Sequence, residues 1–282
     1  TDRVGKGMRG PPRDAIIADE TTPQNRGRAF GFHRAADTAG AVVGPLIGLL
    51  VYDLVGQRFR PLFWIAVIPA VLSVALVFAV RERPHPHARQ ERAWSLHGLP
   101  NRFWRVLAIV GLFGLVNFPD TLLLLRAKDL GFDFAGVVAL YVLYNLTYAA
   151  GSYPAGRLSD RWSRSVVVAA GLAAFAVAYL GFGLTSTSAW AWVLFPLYGC
   201  YTALTDGVIR AWIADLVPAH SRGTALGVQA AVSGFGLLVA GVWAGLAWGG
   251  TGRVPFLISG SLVAGLALLL FALGPSLTSP PP

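Results

Sequence analysis

Two stretches of this chain are copies of one another. Residues 15–31 read AIIADETTPQNRGRAFG and residues 211–227 read AWIADLVPAHSRGTALG. Aligned without a gap, Asp19 meets Asp215, Arg26 meets Arg222 and Gly31 meets Gly227, a constant offset of 215 − 19 = 196 residues. Self-similarity at a fixed spacing means a unit has been doubled, so any fold must contain that unit twice.

The unit is made of apolar helices. The chain is 55% hydrophobic and 13% charged, too apolar for a soluble domain of this size. Eight stretches are long enough to span a bilayer: 29–51, 62–80, 106–125, 134–154, 165–184, 190–210, 224–248 and 254–273. A ninth segment, 5–18, is too polar for hydropathy to identify. The repeat places it, because residues 2–18 align with 198–214, and we read it as the end of a spanning helix that faces water or protein. Gly5, Gly7, Gly10 and the Pro11–Pro12 pair predict that this segment is not a regular helix throughout.

The basic loops set an orientation. Twelve Arg, among them Arg26, Arg28, Arg157, Arg161, Arg164 and Arg222, fall on one side; Arg58, Arg60, Arg126, Lys128 and Arg253 fall on the other. The first side is expected to be cytoplasmic. The +9 net charge therefore reflects bilayer orientation rather than nucleic-acid binding. Five spans separate 29–51 from its copy 224–248, so the two run in the same direction and the repeat is parallel. The expected organisation is a truncated first half (1–80), a cytoplasmic central loop (81–105), a second half of six helices (106–273) and a cytoplasmic tail (274–282). The offset predicts a twelve-helix protein whose first three helices precede Thr1; a nine-helix chain is the alternative. The expected fold class is an all-α polytopic membrane bundle of two parallel repeats, placed in the cell membrane.

One loop carries a recognisable motif. Gly156, Leu158, Asp160, Arg161 and Arg164, after the second helix of the back half, resemble the Gly-x-Leu-x-Asp-Arg-x-Gly-Arg-Arg loop of the major facilitator superfamily, with Ser163 and Ser165 as departures. The resemblance implies a gating loop. In it Asp160 meets the N-terminal end of the helix starting at Thr224, and Arg161 and Arg164 pair with acidic groups at neighbouring helix ends. Positive-inside anchoring is the competing reading. Gly40, Gly44, Pro45 and Gly48 form Gly-x-x-x-Gly-Pro-x-x-Gly, a smooth face with a bend that predicts close helix packing. They also resemble the superfamily's antiporter motif, which implies exchange.

Charged and polar residues at membrane depth are candidate site residues. Asp2, Lys6, Arg9 and Arg13 share a helical face, and Arg9 or Arg13 is expected at the central cavity. His33, Arg34 and Asp37 lie within two turns and can neutralise one another. Asn117, Asp120, Asn145, Asp206 and Arg210 are the candidates in the back half, and Asp120 is the favoured proton acceptor. Asp14 and Arg210 occupy equivalent repeat positions with opposite charge and are expected to pair across the repeat axis; local pairing of Arg210 with Asp206 is the alternative. His85, His87 and His97 lack a metal-ligand spacing, and no nucleophile–base pattern or nucleotide motif is present. The resemblance implies a secondary transporter rather than an enzyme, with no cofactor. Its expected partners are a small-molecule substrate, protons and the lipid bilayer, without ATP or nucleic acid. Proton-coupled efflux by antiport is the favoured mode; uptake of an anionic metabolite and a membrane sensor that no longer transports are the alternatives.

Overall fold

The structure is a computed structural model that describes the backbone of residues 2–56, 58–79 and 98–278, and the side chains of 10–48, 50–52, 54–56, 58–76 and 98–274. The described residues form ten α-helices: α1 (Asp2–Asp19), α2 (Arg26–Leu54), α3 (Phe59–Ala79), α4 (Asn101–Gly114), α5 (Asp120–Asp129), α6 (Phe134–Arg161), α7 (Arg164–Leu184), α8 (Ala191–Leu216), α9 (Arg222–Leu246) and α10 (Arg253–Thr278). Six of the helical segments are long and apolar enough to cross a membrane. Residues 80–97, most of the expected central loop with its three His, lie outside the described residues, and α4 begins at Asn101, inside that stretch.

Helix boundaries repeat with the sequence. Helices α2 and α9 begin at Arg26 and Arg222, which are mates. The packing repeats too: α1 lies against α9, and α2 lies against α8. Since α1 mates with α8 and α2 with α9, these are one contact seen twice, as a two-fold axis requires. The small residues of the repeated stretch sit at these crossings. A Cβ added to Gly207 would lie 3.3 Å from the Phe30 carbonyl carbon and 3.4 Å from the Gly31 nitrogen. The mate contact is Pro11 against Gly227, with 4.0 Å between Pro11 Cβ and an added Cβ.

Two sequence expectations about helix regularity are corrected. Helix α1 is continuous through Gly5, Gly7, Gly10, Pro11 and Pro12. Helix α9 packs alongside, with Pro11 Cβ 4.0 Å from a Cβ added to Gly227, so packing overrides propensity. Conversely, the single span expected over 106–125 is two helices. Pro119 has no N–H to give the Leu115 carbonyl, and the chain breaks at 115–119. Trp243 Nε1 donates to that carbonyl at 2.8 Å, and Ser259 Oγ donates to the Val116 carbonyl at 2.7 Å. A broken helix survives at membrane depth only when its freed groups are satisfied in this way. The far end of α5 is pinned by buried Arg126, which donates to the carbonyls of Phe182 (3.1 Å), Thr185 (2.7 Å) and Thr251 (2.7 Å).

The glycine face of α2 has no partner among the described residues. None of them lies within 4 Å of a Cβ placed on Gly40, Gly44 or Gly48, although Pro45 does sit inside α2. Glycine spacing permits a close approach without supplying a partner. The tight approach on α2 is instead at its start, where a Cβ on Gly156 of α6 would collide with the Gly27 carbonyl and lie 3.1 Å from Arg28 Cα. Gly156→Ala should therefore destabilise the protein by about 1–3 kcal/mol through overpacking. Gly44→Ala, in open space, should not lower stability. Thermal melting of the two variants in detergent checks this; equal melting temperatures would contradict the packing account.

Candidate functional site

At the end of the bundle where the repeated stretches meet, charges from one half answer charges from the other. Arg26, 1% exposed, forms an ion pair with Asp215. Its mate Arg222 pairs with Asp19, the mate of Asp215, at 2.6 Å. The two pairs are the same interaction exchanged by the axis. Arg26 and Arg222 also donate to the Ala18 carbonyl, at 2.9 and 3.3 Å, closing off the C-terminal end of α1.

Asp160 is part of this cluster, but not where the resemblance implied. Its carboxylate accepts from the backbone N–H of Gly27 at 2.8 Å and of Arg28 at 2.9 Å, at the start of α2 rather than of α9. Asp160 lies in the last turn of α6, and α6 packs beside α2, so the free amides within its reach are those of α2. Arg164, largely buried, lies 2.7 Å from Asp215 and 3.8 Å from Asp160. Arg161 is exposed, and Gly156 serves as the packing site described above.

One layer deeper lies a pair on the axis itself. Asp14 and Arg210 are mates, and they lie 3.3 Å apart. A residue that meets its own mate must sit on the pseudo-two-fold. The local alternative is present as well, with Arg210 at 3.0 Å from Asp206. Arg34 binds the same cluster, 3.9 Å from Asp14, 3.4 Å from Asp206 and 3.3 Å from Asp37. Arg13 holds Asp14 at 3.1 Å. The side chain of Asp37 is 57% exposed, so its pairing with Arg34 is a partly solvated one.

Two cavities adjoin this layer. The larger, 690 Å³, is lined by residues including Arg13, Asp14, Arg34, Asp37, Asn145 and Arg210. The smaller, 370 Å³, is lined only by residues between 110 and 237, including Asn117, Asp120, Asp206, Arg210 and four Tyr. Tyr148, Arg210, Gln229 and Ser233 line both. In the smaller cavity Asp120 accepts from Tyr198 Oη at 2.6 Å and Tyr144 Oη at 3.1 Å. Asp206 accepts from Tyr148 Oη, and Asn117 Nδ2 donates to Tyr201 Oη at 3.1 Å. Asn145 is buried and donates to the Tyr141 carbonyl at 2.8 Å.

The structure thus gathers Arg13, Asp14, Asp37, Asn117, Asp120, Asn145, Asp206 and Arg210 around two joined cavities. The side chain of Arg9 lies outside those described. Sequence reasoning singled out Arg34 but left Arg26, Asp19, Asp215, Arg222 and the tyrosine wall out of the site. The first four carried a visible signal, since they are charges kept identical in both copies. The tyrosines carried a weaker one: 141, 144 and 148 share one helix face, as do 198 and 201.

Known proteins of similar sequence and fold agree with this architecture. The family model for the Major Facilitator Superfamily matches residues 3–143 and again 121–282. An uncharacterized MFS-type transporter of Methanocaldococcus jannaschii is 34% identical over 277 residues, covering 95% of this chain and 69% of that protein. The multidrug resistance protein MdtH of Klebsiella pneumoniae is 27% identical over 80% of this chain and 57% of its own length. The chain therefore spans between 57% and 69% of these relatives. Among solved structures, the human organic anion transporter MFSD10 superposes with a TM-score of 0.69 at 16% identity, covering 91% of this chain and 66% of that one. The Escherichia coli fucose:proton symporter FucP gives 0.65 at 10% identity, covering 92% and 72%. A repeated helical unit with mirrored charges, and a family model that matches residues 3–143 and 121–282, identify the chain as a member of the major facilitator superfamily of membrane transporters.

Proposed function

We propose that this protein is a secondary active transporter that exports a small solute in exchange for protons, and that the conformation described is closed on its cytoplasmic side. The observation that carries the reading is the on-axis contact of Asp14 with Arg210, flanked by the exchanged pairs Arg26–Asp215 and Arg222–Asp19. The Arg-rich side of the membrane is cytoplasmic under the positive-inside rule, and these pairs lie on it. When the two halves rock apart, every cross-axis pair separates and its charges hydrate. A coupling difference on the order of 1–3 kcal/mol between the closed and open states is enough to bias the equilibrium, and partly buried pairs can supply it.

Export is supported by the 27% identity to a protein named for multidrug resistance. Proton coupling is supported by Asp120, a carboxylate at membrane depth whose partners among the described residues are the hydroxyls of Tyr144 and Tyr198. A protonated Asp120 would be neutral and an ionised one charged, so its occupancy changes the charge that the moving half carries.

Two measurements test this in cells or proteoliposomes holding the full-length protein, with ethidium as the reporter solute. Asp19→Arg and Arg222→Asp should each cut transport about tenfold, and the charge-swapped double variant should recover most of it. The swap of Asp14 with Arg210 should recover less, because Asp14 also faces Arg13 and Arg34, and Arg210 also faces Asp206. A double variant as poor as the product of the singles would remove the gate. For coupling, an imposed pH gradient should drive ethidium flux through the natural protein but not through Asp120→Asn. An unchanged response to the gradient would take Asp120 out of the coupling step.

A further inference from the structure

We infer that the smaller cavity is a binding chamber for a monovalent organic cation with apolar or aromatic substituents, with Asp120 as its counter-charge. The inference rests on the transporter reading and names the chemical class of its solute.

The first argument is a charge left over. Among the described carboxylates of the polar layer, Asp14, Asp37 and Asp206 each have an Arg within 4 Å. Asp120 has none. Its two oxygens accept from Tyr198 at 2.6 Å and Tyr144 at 3.1 Å, donors that orient a carboxylate without neutralising it. It is also the first residue of α5, where the free amides of a helix start favour a negative charge. The fold thus holds the Asp120 carboxyl group in place and, among the described residues, gives it no cation of its own, so a cation that enters can supply one.

The second argument is an acceptor left over. Asn117 lines the same cavity one turn before Asp120, and its Oδ1 is buried without a hydrogen-bond partner. Two acceptors converge on one space. The cation that borders this space, Arg210, is already engaged by Asp206 and Asp14. Arg210 keeps one unpartnered nitrogen, Nη1, but its charge is shared between two carboxylates, and an anion entering here would also face Asp120.

The third argument is the wall. Phe113, Tyr144, Tyr148, Tyr198 and Tyr201 line the chamber, with Tyr144 and Tyr148 stacked at a centroid distance of 6.3 Å. Aromatic faces attract cations and cover apolar substituents together. A volume of 370 Å³ is within the range of small-molecule sites, and the adjoining 690 Å³ accommodates a larger tail.

Tetraphenylphosphonium and tetraphenylborate have nearly the same shape and opposite charge, so the pair isolates the sign of the charge. Equilibrium binding of radiolabelled tetraphenylphosphonium to the full-length protein in detergent, at one fixed pH, should be saturable. Radiolabelled tetraphenylborate, measured in a separate sample, should show no saturable binding, and Asp120→Asn should weaken tetraphenylphosphonium binding at least tenfold. Tetraphenylborate binding as tightly as tetraphenylphosphonium, or undiminished tetraphenylphosphonium binding by a folded Asp120→Asn protein, would overturn the inference. If Asp120→Asn does not fold, Asn117→Asp decides. A second carboxylate in the chamber should tighten tetraphenylphosphonium binding several-fold, and unchanged or weaker binding would overturn the site. The assay needs no flux, so absent binding counts against the cation chamber alone. Binding without translocation in proteoliposomes counts against the transporter reading.

Discussion

An arginine buried to 1% exposure has to find a carboxylate, and in this protein Arg26 finds it on the other half of the molecule. An uncompensated charge in a low-dielectric interior costs several kcal/mol, whereas a paired one costs far less. Because the unit is doubled, the requirement is met twice, once by Arg26 with Asp215 and once by Arg222 with Asp19. Pairs of this kind contribute little net stability compared with apolar packing, but they hold one register of the halves against all others. That makes them suited to a surface that must close in one arrangement and then part. The glycine and alanine positions that recur beside them let the backbones come close enough for the charges to meet.

The deeper polar layer ties these cross-axis pairs to the cavities. Asp206 accepts from Tyr148, a wall of both cavities, and pairs with Arg34 of α2 and with Arg210. Arg210 in turn meets Asp14 on the axis. A ligand that draws on Tyr148 or Asp206 therefore acts on the same contacts that hold the two halves together. The break in the α4–α5 span adds a joint at this level. Arg126 fixes α5 to the ends of α7 and to the α9–α10 turn, while α4 packs on α9. Asp120 and Asn117 sit at that joint.

Much of this was legible in the sequence, for a physical reason. Hydropathy and the 196-residue offset reflect constraints that act locally or identically in both copies, so most helix positions, though not the break at 115–119, and the Asp14–Arg210 contact could be read from residues alone. What was not legible depended on which neighbour lies alongside. Asp160 needs an exposed helix start, and only the packing of α6 on α2 makes that start the one at Gly27. The Gly40–Gly48 face looked like a packing surface, but the described residues place nothing against it. Pro119 signalled a disturbed helix. That the helix stops outright follows from Trp243 and Ser259, two distant side chains that take over the freed carbonyls.

The central claim is that the repeated stretches form a gate which must open in every cycle. In the closed form, a Cβ on Gly223 would lie 4.0 Å from Ala15 Cβ, within the usual range for a disulfide. With the native Cys200 replaced by Ser, Ala15→Cys and Gly223→Cys should cross-link under mild oxidation. The account predicts that the cross-linked protein is inserted and folded but moves no solute, and that a reductant restores transport. Transport at the natural rate with the cross-link intact would contradict it.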